Sequence, residues 1–223
     1  MDLDTTKPCN MPLKYFIWFS ACCGILGTVA LTLYFSAPFW LLPLPAANAS
    51  AEDLVNFGRQ YRNLILFDVW LQQVGSILTV LFALALVHLA GTSRSYSGRL
   101  VLLVGAVILS LSLAEGTFIM AAVQAGDNGH NEAVVTSVDM GSVFIHIFLL
   151  APSLFLVLGF ALMRSSVLPA IFRRSAIVLG ILFQVLGVAG LFSSTALVLV
   201  IFVLMAQNAW TLLASISLLI RRG

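Results

Sequence analysis

Charged residues are scarce in this sequence, and their scarcity excludes an ordinary soluble protein. They make up 9% of the 223 residues, whereas 61% of the residues are hydrophobic. A soluble domain usually carries about 25% charged residues, so too few remain here to cover a surface that faces water. The alternative solvent is lipid, which a helix crosses with roughly 20 mostly apolar residues. The composition therefore predicts an integral membrane protein in contact with membrane lipid.

Several kinds of functional site are excluded by residues that the sequence lacks. No basic or aromatic-interleaved patch occurs, and the formal net charge is only +2, so we expect no nucleic-acid partner. The three cysteines form no CxxC motif, and the three histidines are not spaced as a haem or dinuclear metal site requires. No glycine-rich phosphate loop or HExxH motif is present. The sequence thus predicts no metal site, and it leaves the cofactor unknown.

Six long apolar runs follow one another along the chain. Backbone groups in hydrocarbon must bond one another, so each run is predicted to be a helix. The fold class is therefore all-α: a polytopic membrane helical bundle with six transmembrane helices, forming a single domain over residues 1–223. The predicted spans are 13–36, 66–90, 99–125, 137–163, 174–194 and 197–220.

The basic residues predict how this bundle is oriented. With six spans, nine of the 11 Lys and Arg residues fall on one side of the membrane, and only Arg59 and Arg62 fall on the other. Basic residues in short loops mark the cytoplasmic face. We therefore expect a protein of the cell inner (plasma) membrane with cytoplasmic N- and C-termini.

The first outer loop is predicted to contain a short interfacial helix. Ser50 followed by Asp53 is typical of a helix N-terminus. Apolar residues then recur at helical spacing, which predicts an amphipathic helix over 51–65 on the outer surface. Arg59 and Arg62 are expected to point toward water or lipid headgroups.

Polar groups within the spans are the clearest functional signal. An ionisable group at membrane depth is costly and usually faces the bundle interior or a wet cavity. Glu115 and His146 lie at similar depth in neighbouring antiparallel spans, so we predict that they face one another across a common cavity. They are candidates for a catalytic acid and base, or for ligands of a cation, in a pocket open to the outside. The alternative is that the polar groups only hydrogen-bond between helices and fix the packing. The candidates for ligand binding are Asp68, Gln72, Asp139, Ser142, Gln184 and Asn208.

Two further features concern the fourth and fifth spans. Pro152 removes a backbone donor, which predicts a bend in the fourth span below His146. Gln184 shares a helix face with Gly180 and Gly187, and small residues let helices approach closely. Gln184 is therefore predicted to point at a neighbouring helix.

The layout resembles a family of bacterial six-helix membrane proteins of unknown function. The matching features are Gly24–Gly27 in the first span, a proline-bearing outer loop with a short helix, and Ser166–Pro169 before a glycine-spaced fifth span. This chain departs from the pattern at Arg173 and Arg174, which lengthen the inner turn. The resemblance implies the six-helix fold, and it implies no activity or site residue.

Three functions remain open at this point. The first is an accessory bundle with an outward-facing polar pocket for a small lipophilic or cationic ligand. The second is an intramembrane enzyme that uses Glu115 and His146. The third is a proton- or ion-coupled carrier. A homo-oligomer, or membership of a larger membrane complex, is compatible with each of them.

Overall fold

The described part of the protein is built from helices, most of them long and apolar, which confirms the predicted fold class. The computed structural model describes residues 12–42 and 49–222, and every regular element within them is helical. Six helical stretches are long and apolar enough to cross a membrane. The helices are α1 (Leu13–Trp40), α2 (Ala51–Gln60), α3 (Arg62–Leu89), α4 (Tyr96–Asp127), α5 (Asn131–Leu150), α6 (Leu154–Leu162), α7 (Ala170–Gly190) and α8 (Ser194–Arg222).

The fourth span is two helices rather than one bent helix. Helix α5 ends at Leu150, and α6 begins at Leu154. Pro152 has no N–H to donate, and its ring disfavours helical geometry in the residue before it. Ala151 is accordingly extended, with φ −62° and ψ 147°. The proline therefore breaks the span where the sequence predicted only a bend.

Helix α2 is shorter than the predicted segment 51–65, because α3 already begins at Arg62. A capping box fixes its N-terminus: the Asp53 backbone N–H donates to Ser50 Oγ (3.1 Å), and the Ser50 backbone N–H donates to the Asp53 carboxylate (3.0 Å). Hydrogen bonds from the Ser50 side chain and backbone also lower the pKa of Asp53. The cap is therefore intact above the ordinary carboxyl pKa of about 3.9 and is lost as the pH falls through the lowered value.

Helix α2 lies across the ends of α4 and α5 and is held there by both apolar and charged contacts. Val55 is buried against Ala122 and Val134. Arg59 donates two hydrogen bonds, of 3.1 and 2.8 Å, to the carbonyl oxygen of Gly126, and Arg62 pairs with Asp127 at 2.9 Å. The last carbonyls of a helix carry partial negative charge, which attracts Arg59, and the Asp127 carboxylate attracts Arg62. The two arginines therefore bind α4 instead of facing only solvent.

The bundle has two unlike ends, which we call the α2 end and the opposite end. At the opposite end, side chains of α1, α3, α4, α6, α7 and α8, together with the loop before α7, form the main apolar cluster. Its largest fully buried members are Phe82, Ile17, Leu86, Leu158, Leu162, Leu168 and Leu218. Gln72 and Glu115, which are polar and buried between helices, lie nearer the α2 end.

Helix α7 approaches the broken span very closely because it carries glycine at the contacts. A Cβ atom on Gly180 would collide with the backbone N of Leu156 in α6, and one on Gly187 would collide with the carbonyl oxygen of Leu149 in α5. Backbone atoms cannot move aside as a flexible side chain can. The two glycines therefore let α7 support both halves of the fourth span.

We predict that Gly180→Ala destabilises the protein, because the new methyl group meets backbone and forces α6 and α7 apart. Overpacking of this kind typically costs about 1–3 kcal/mol. The matched control is Gly58→Ala in α2, where a Cβ meets nothing within 4 Å. Thermal unfolding in detergent should show a lower Tm for Gly180→Ala alone. Equal Tm values for the two variants would contradict the close approach of α7.

Candidate functional site

One side-chain amide spans the break in the fourth span. The backbone N–H of Ser153 donates to Gln184 Oε1 (3.1 Å), and Gln184 Nε2 donates to the carbonyl oxygen of Leu150 (3.4 Å). Gln184 thus supplies an acceptor and a donor where the helix has lost its own. Non-helical backbone at membrane depth requires such protein partners. The prediction that Gln184 points at a neighbouring helix is borne out by these contacts.

A cavity of about 90 Å³ lies beside this break, and we call it the break cavity. Its wall is mostly aromatic and aliphatic, with Pro152 on the side of the broken span. Five polar residues interrupt that wall. They are Ser76, Thr79, Ser153, Gln207 and Asn208.

Two residues that line the break cavity each carry a hydrogen-bond donor without a partner. Asn208 is only 6% exposed, and its Nδ2 atom makes no hydrogen bond; Thr79 Oγ1 is also buried without a partner. By contrast, Gln207 Nε2 donates to the carbonyl oxygen of Leu179 (3.4 Å), and Ser76 Oγ accepts from Ser112 Oγ (3.3 Å). The unused donors of Thr79 and Asn208 therefore distinguish this cavity from a packing defect between apolar helices.

A second polar region lies between α3 and α4, nearer the α2 end. Glu115 is 7% exposed and accepts a hydrogen bond of 2.7 Å from Gln72 Nε2. Asp68 lies one helical turn from Gln72 on α3. Asp68 Oδ1 and Gln72 Oε1 are buried without hydrogen-bond partners. Tyr34 of α1 lies within electrostatic range of both carboxyl groups. We call Tyr34, Asp68, Gln72 and Glu115 the carboxyl cluster.

The structure does not bring Glu115 and His146 into contact. His146 Nδ1 lies 2.8 Å from the carbonyl oxygen of Ser142 in its own helix, and no hydrogen bond or ion pair joins it to Glu115 within residues 12–42 and 49–222. Asp139 and Ser142 are exposed. Helix α5 buries the side that carries Gly141, and His146 lies about 140° around the helix from that position. The α5 candidates thus lie apart from the carboxyl cluster.

Sequence reasoning did not select Thr79, Ser153, Gln207 or Tyr34 as site residues. Thr79 carries a usable signal, because it continues the helix face of Gln72 and Ser76 at steps of three and four residues. Tyr34 carries none, since a tyrosine in an apolar helix gives no indication of which side chains of other helices surround it.

Comparison of the chain with protein-family models, with curated proteins and with solved structures finds no match. The family resemblance noted in the sequence therefore stays an expectation.

We predict that Gln184→Ala destabilises the protein, because it leaves the Ser153 N–H and the Leu150 carbonyl without this partner at membrane depth. Each unsatisfied buried group costs about 1–3 kcal/mol. The control is Gln124→Ala, which removes the same side chain from an exposed position. Thermal unfolding should show a lower Tm for Gln184→Ala and little change for Gln124→Ala. If both variants unfold at the wild-type temperature, Gln184 does not support the break.

Proposed function

We propose that this chain is an integral membrane protein that binds a small lipophilic ligand in the break cavity. The ligand carries a hydrogen-bond acceptor, and the protein supplies the donors. The observation that carries the proposal is Asn208, a buried amide whose Nδ2 donor has no partner and which lines that cavity. A buried donor without a partner lowers the stability of the protein, and a ligand that supplies an acceptor removes this penalty when it binds.

The composition of the cavity wall supports a lipophilic ligand. Ligand sites are typically apolar pockets with a few convergent polar groups that fix orientation. Here Phe148, Phe155 and Phe183 supply apolar surface, while Thr79 and Asn208 supply the two free donors. A ketone, ester or ether oxygen accepts from both donors without bringing a charge into the membrane.

The volume limits how much of the ligand enters. An engineered apolar cavity of about 150 Å³ holds benzene, and the break cavity measures about 90 Å³. The bound part therefore has only a few heavy atoms. A larger lipid-soluble molecule would insert one compact end that carries the acceptor.

The two other functions have weaker support from the same geometry. An acid/base pair of Glu115 and His146 requires contact or a shared substrate, and Glu115 instead accepts from Gln72. A carrier requires polar continuity to both faces. The main apolar cluster, which includes Phe82, Leu86 and Leu158, fills the path toward the opposite end.

We predict that a ketone binds the wild-type protein more tightly than a hydrocarbon of the same shape. The probes are 2-butanone and 2-methyl-1-butene, compared by saturation-transfer NMR on protein in detergent. A hydrogen bond contributes about 0.5–1.5 kcal/mol, which corresponds to about two- to tenfold in affinity. Asn208→Leu should abolish the preference for the ketone, whereas Asn131→Leu, at an exposed asparagine, should retain it. A wild-type protein that binds both probes equally would overturn the proposal.

We also propose that the opposite end faces the cytoplasm of the plasma membrane. The sequence supports this orientation, because nine of the 11 basic residues precede the first span, follow the sixth, or lie in the connections expected on that side, as the positive-inside rule requires. Single cysteines at positions 95 and 166, in a chain without native cysteines, should resist impermeant thiol reagents in intact cells and react after lysis. A cysteine at position 128, at the α2 end, should label from outside. The reverse labelling pattern would overturn this orientation.

A further inference from the structure

Within the part of the chain that the structure describes, no ion pair gives the carboxyl cluster a compensating positive charge. Glu115 and Asp68 both belong to membrane-spanning helices, where an isolated charge is costly. Among the described residues, the one ion pair joins Arg62 to Asp127, and Arg59 donates to the Gly126 carbonyl. The basic residues of the α2 end are thus engaged away from the two carboxyl groups.

The cluster also has more acceptors than donors. Gln72 is 6% exposed and gives its amide N–H to Glu115, so its oxygen Oε1 is left without a donor. Asp68 Oδ1, one helical turn away on α3, also has no hydrogen-bond donor. Carboxylate and amide oxygens are the ligands that hard cations such as Na⁺, Mg²⁺ and Ca²⁺ prefer.

We propose that Asp68, Gln72 and Glu115 form a binding site for a hard metal cation, distinct from the break cavity. The cation would contact Asp68 Oδ1, Gln72 Oε1 and the Glu115 carboxylate. Asp68 is only partly buried, so the cation would enter from the α2 end.

Charge favours a metal cation over simpler occupants. A single proton on Asp68 Oδ1 can donate to Gln72 Oε1 and so satisfy both unpaired oxygens, but it leaves the Glu115 carboxylate without a compensating charge. A water molecule donates to both oxygens but brings no charge. A metal cation supplies positive charge and contacts several oxygens at once.

The test measures cation binding to the full chain in detergent, independently of any ligand of the break cavity. Isothermal titration calorimetry with NaCl, MgCl₂ or CaCl₂, at constant ionic strength set by choline chloride, gives the affinity. Glu115→Gln keeps an acceptor for Gln72 while removing the charge, and Asp68→Asn is equally conservative. Asp139→Asn is the control, because it removes an exposed carboxylate from α5.

We expect at least one of these cations to bind the wild type and Asp139→Asn alike, and to bind Glu115→Gln and Asp68→Asn about tenfold more weakly or worse. Circular dichroism and thermal unfolding establish that each variant is folded. If Glu115→Gln does not fold, the cation affinities of Asp68→Asn and Asp139→Asn are compared instead, and only Asp68→Asn should bind more weakly than the wild type. Absence of binding by all three cations, or equal affinity in the cluster variants and the control, would overturn the proposal. Loss of binding in Asp139→Asn alone would overturn it too.

Discussion

Every backbone N–H and C=O group inside hydrocarbon needs a partner from the protein, and this requirement governs the fourth span. Pro152 removes one donor and forces Ala151 out of helical geometry. The chain accommodates the break because Gln184 bonds both sides of it. Gln184 reaches the break only because Gly180 and Gly187 let α7 approach the backbone of α6 and α5. The cavity beside the break follows from the same arrangement.

The two ends of the bundle are stabilised in different ways. At the opposite end, interdigitated side chains such as Phe82, Leu158 and Leu218 give tight apolar packing. In the other half, α3 and α4 are held in register by two polar contacts one turn apart, Gln72 with Glu115 and Ser76 with Ser112. Local opening is easiest where apolar contacts are fewest. Rearrangements that admit a ligand are therefore expected in the half that carries the polar contacts.

The break cavity and the carboxyl cluster share one helix face. Asp68, Gln72, Ser76 and Thr79 follow one another along α3 at steps of three and four residues. Ser76 belongs to both regions, since it lines the cavity and accepts from Ser112 next to the cluster. A small rotation of α3 would therefore change both regions together. Such a shared element is the physical requirement for coupling between two sites.

The amino-acid sequence by itself determined the helical class, the number of spans and the face of Gln184, because composition and helical periodicity are local properties. It also indicated Pro152 as the irregular position of the fourth span. It did not determine that Glu115 meets Gln72 rather than His146, since depth along the membrane was predictable but rotation about each helix axis was not. The side of α5 that carries His146 also carries Asp139 and Ser142, yet packing against α4 buries the side that carries Gly141. Tertiary structure likewise decided that Asn208 and Thr79, on helices α8 and α3, meet at one cavity, because no local pattern records which faces of distant helices come together.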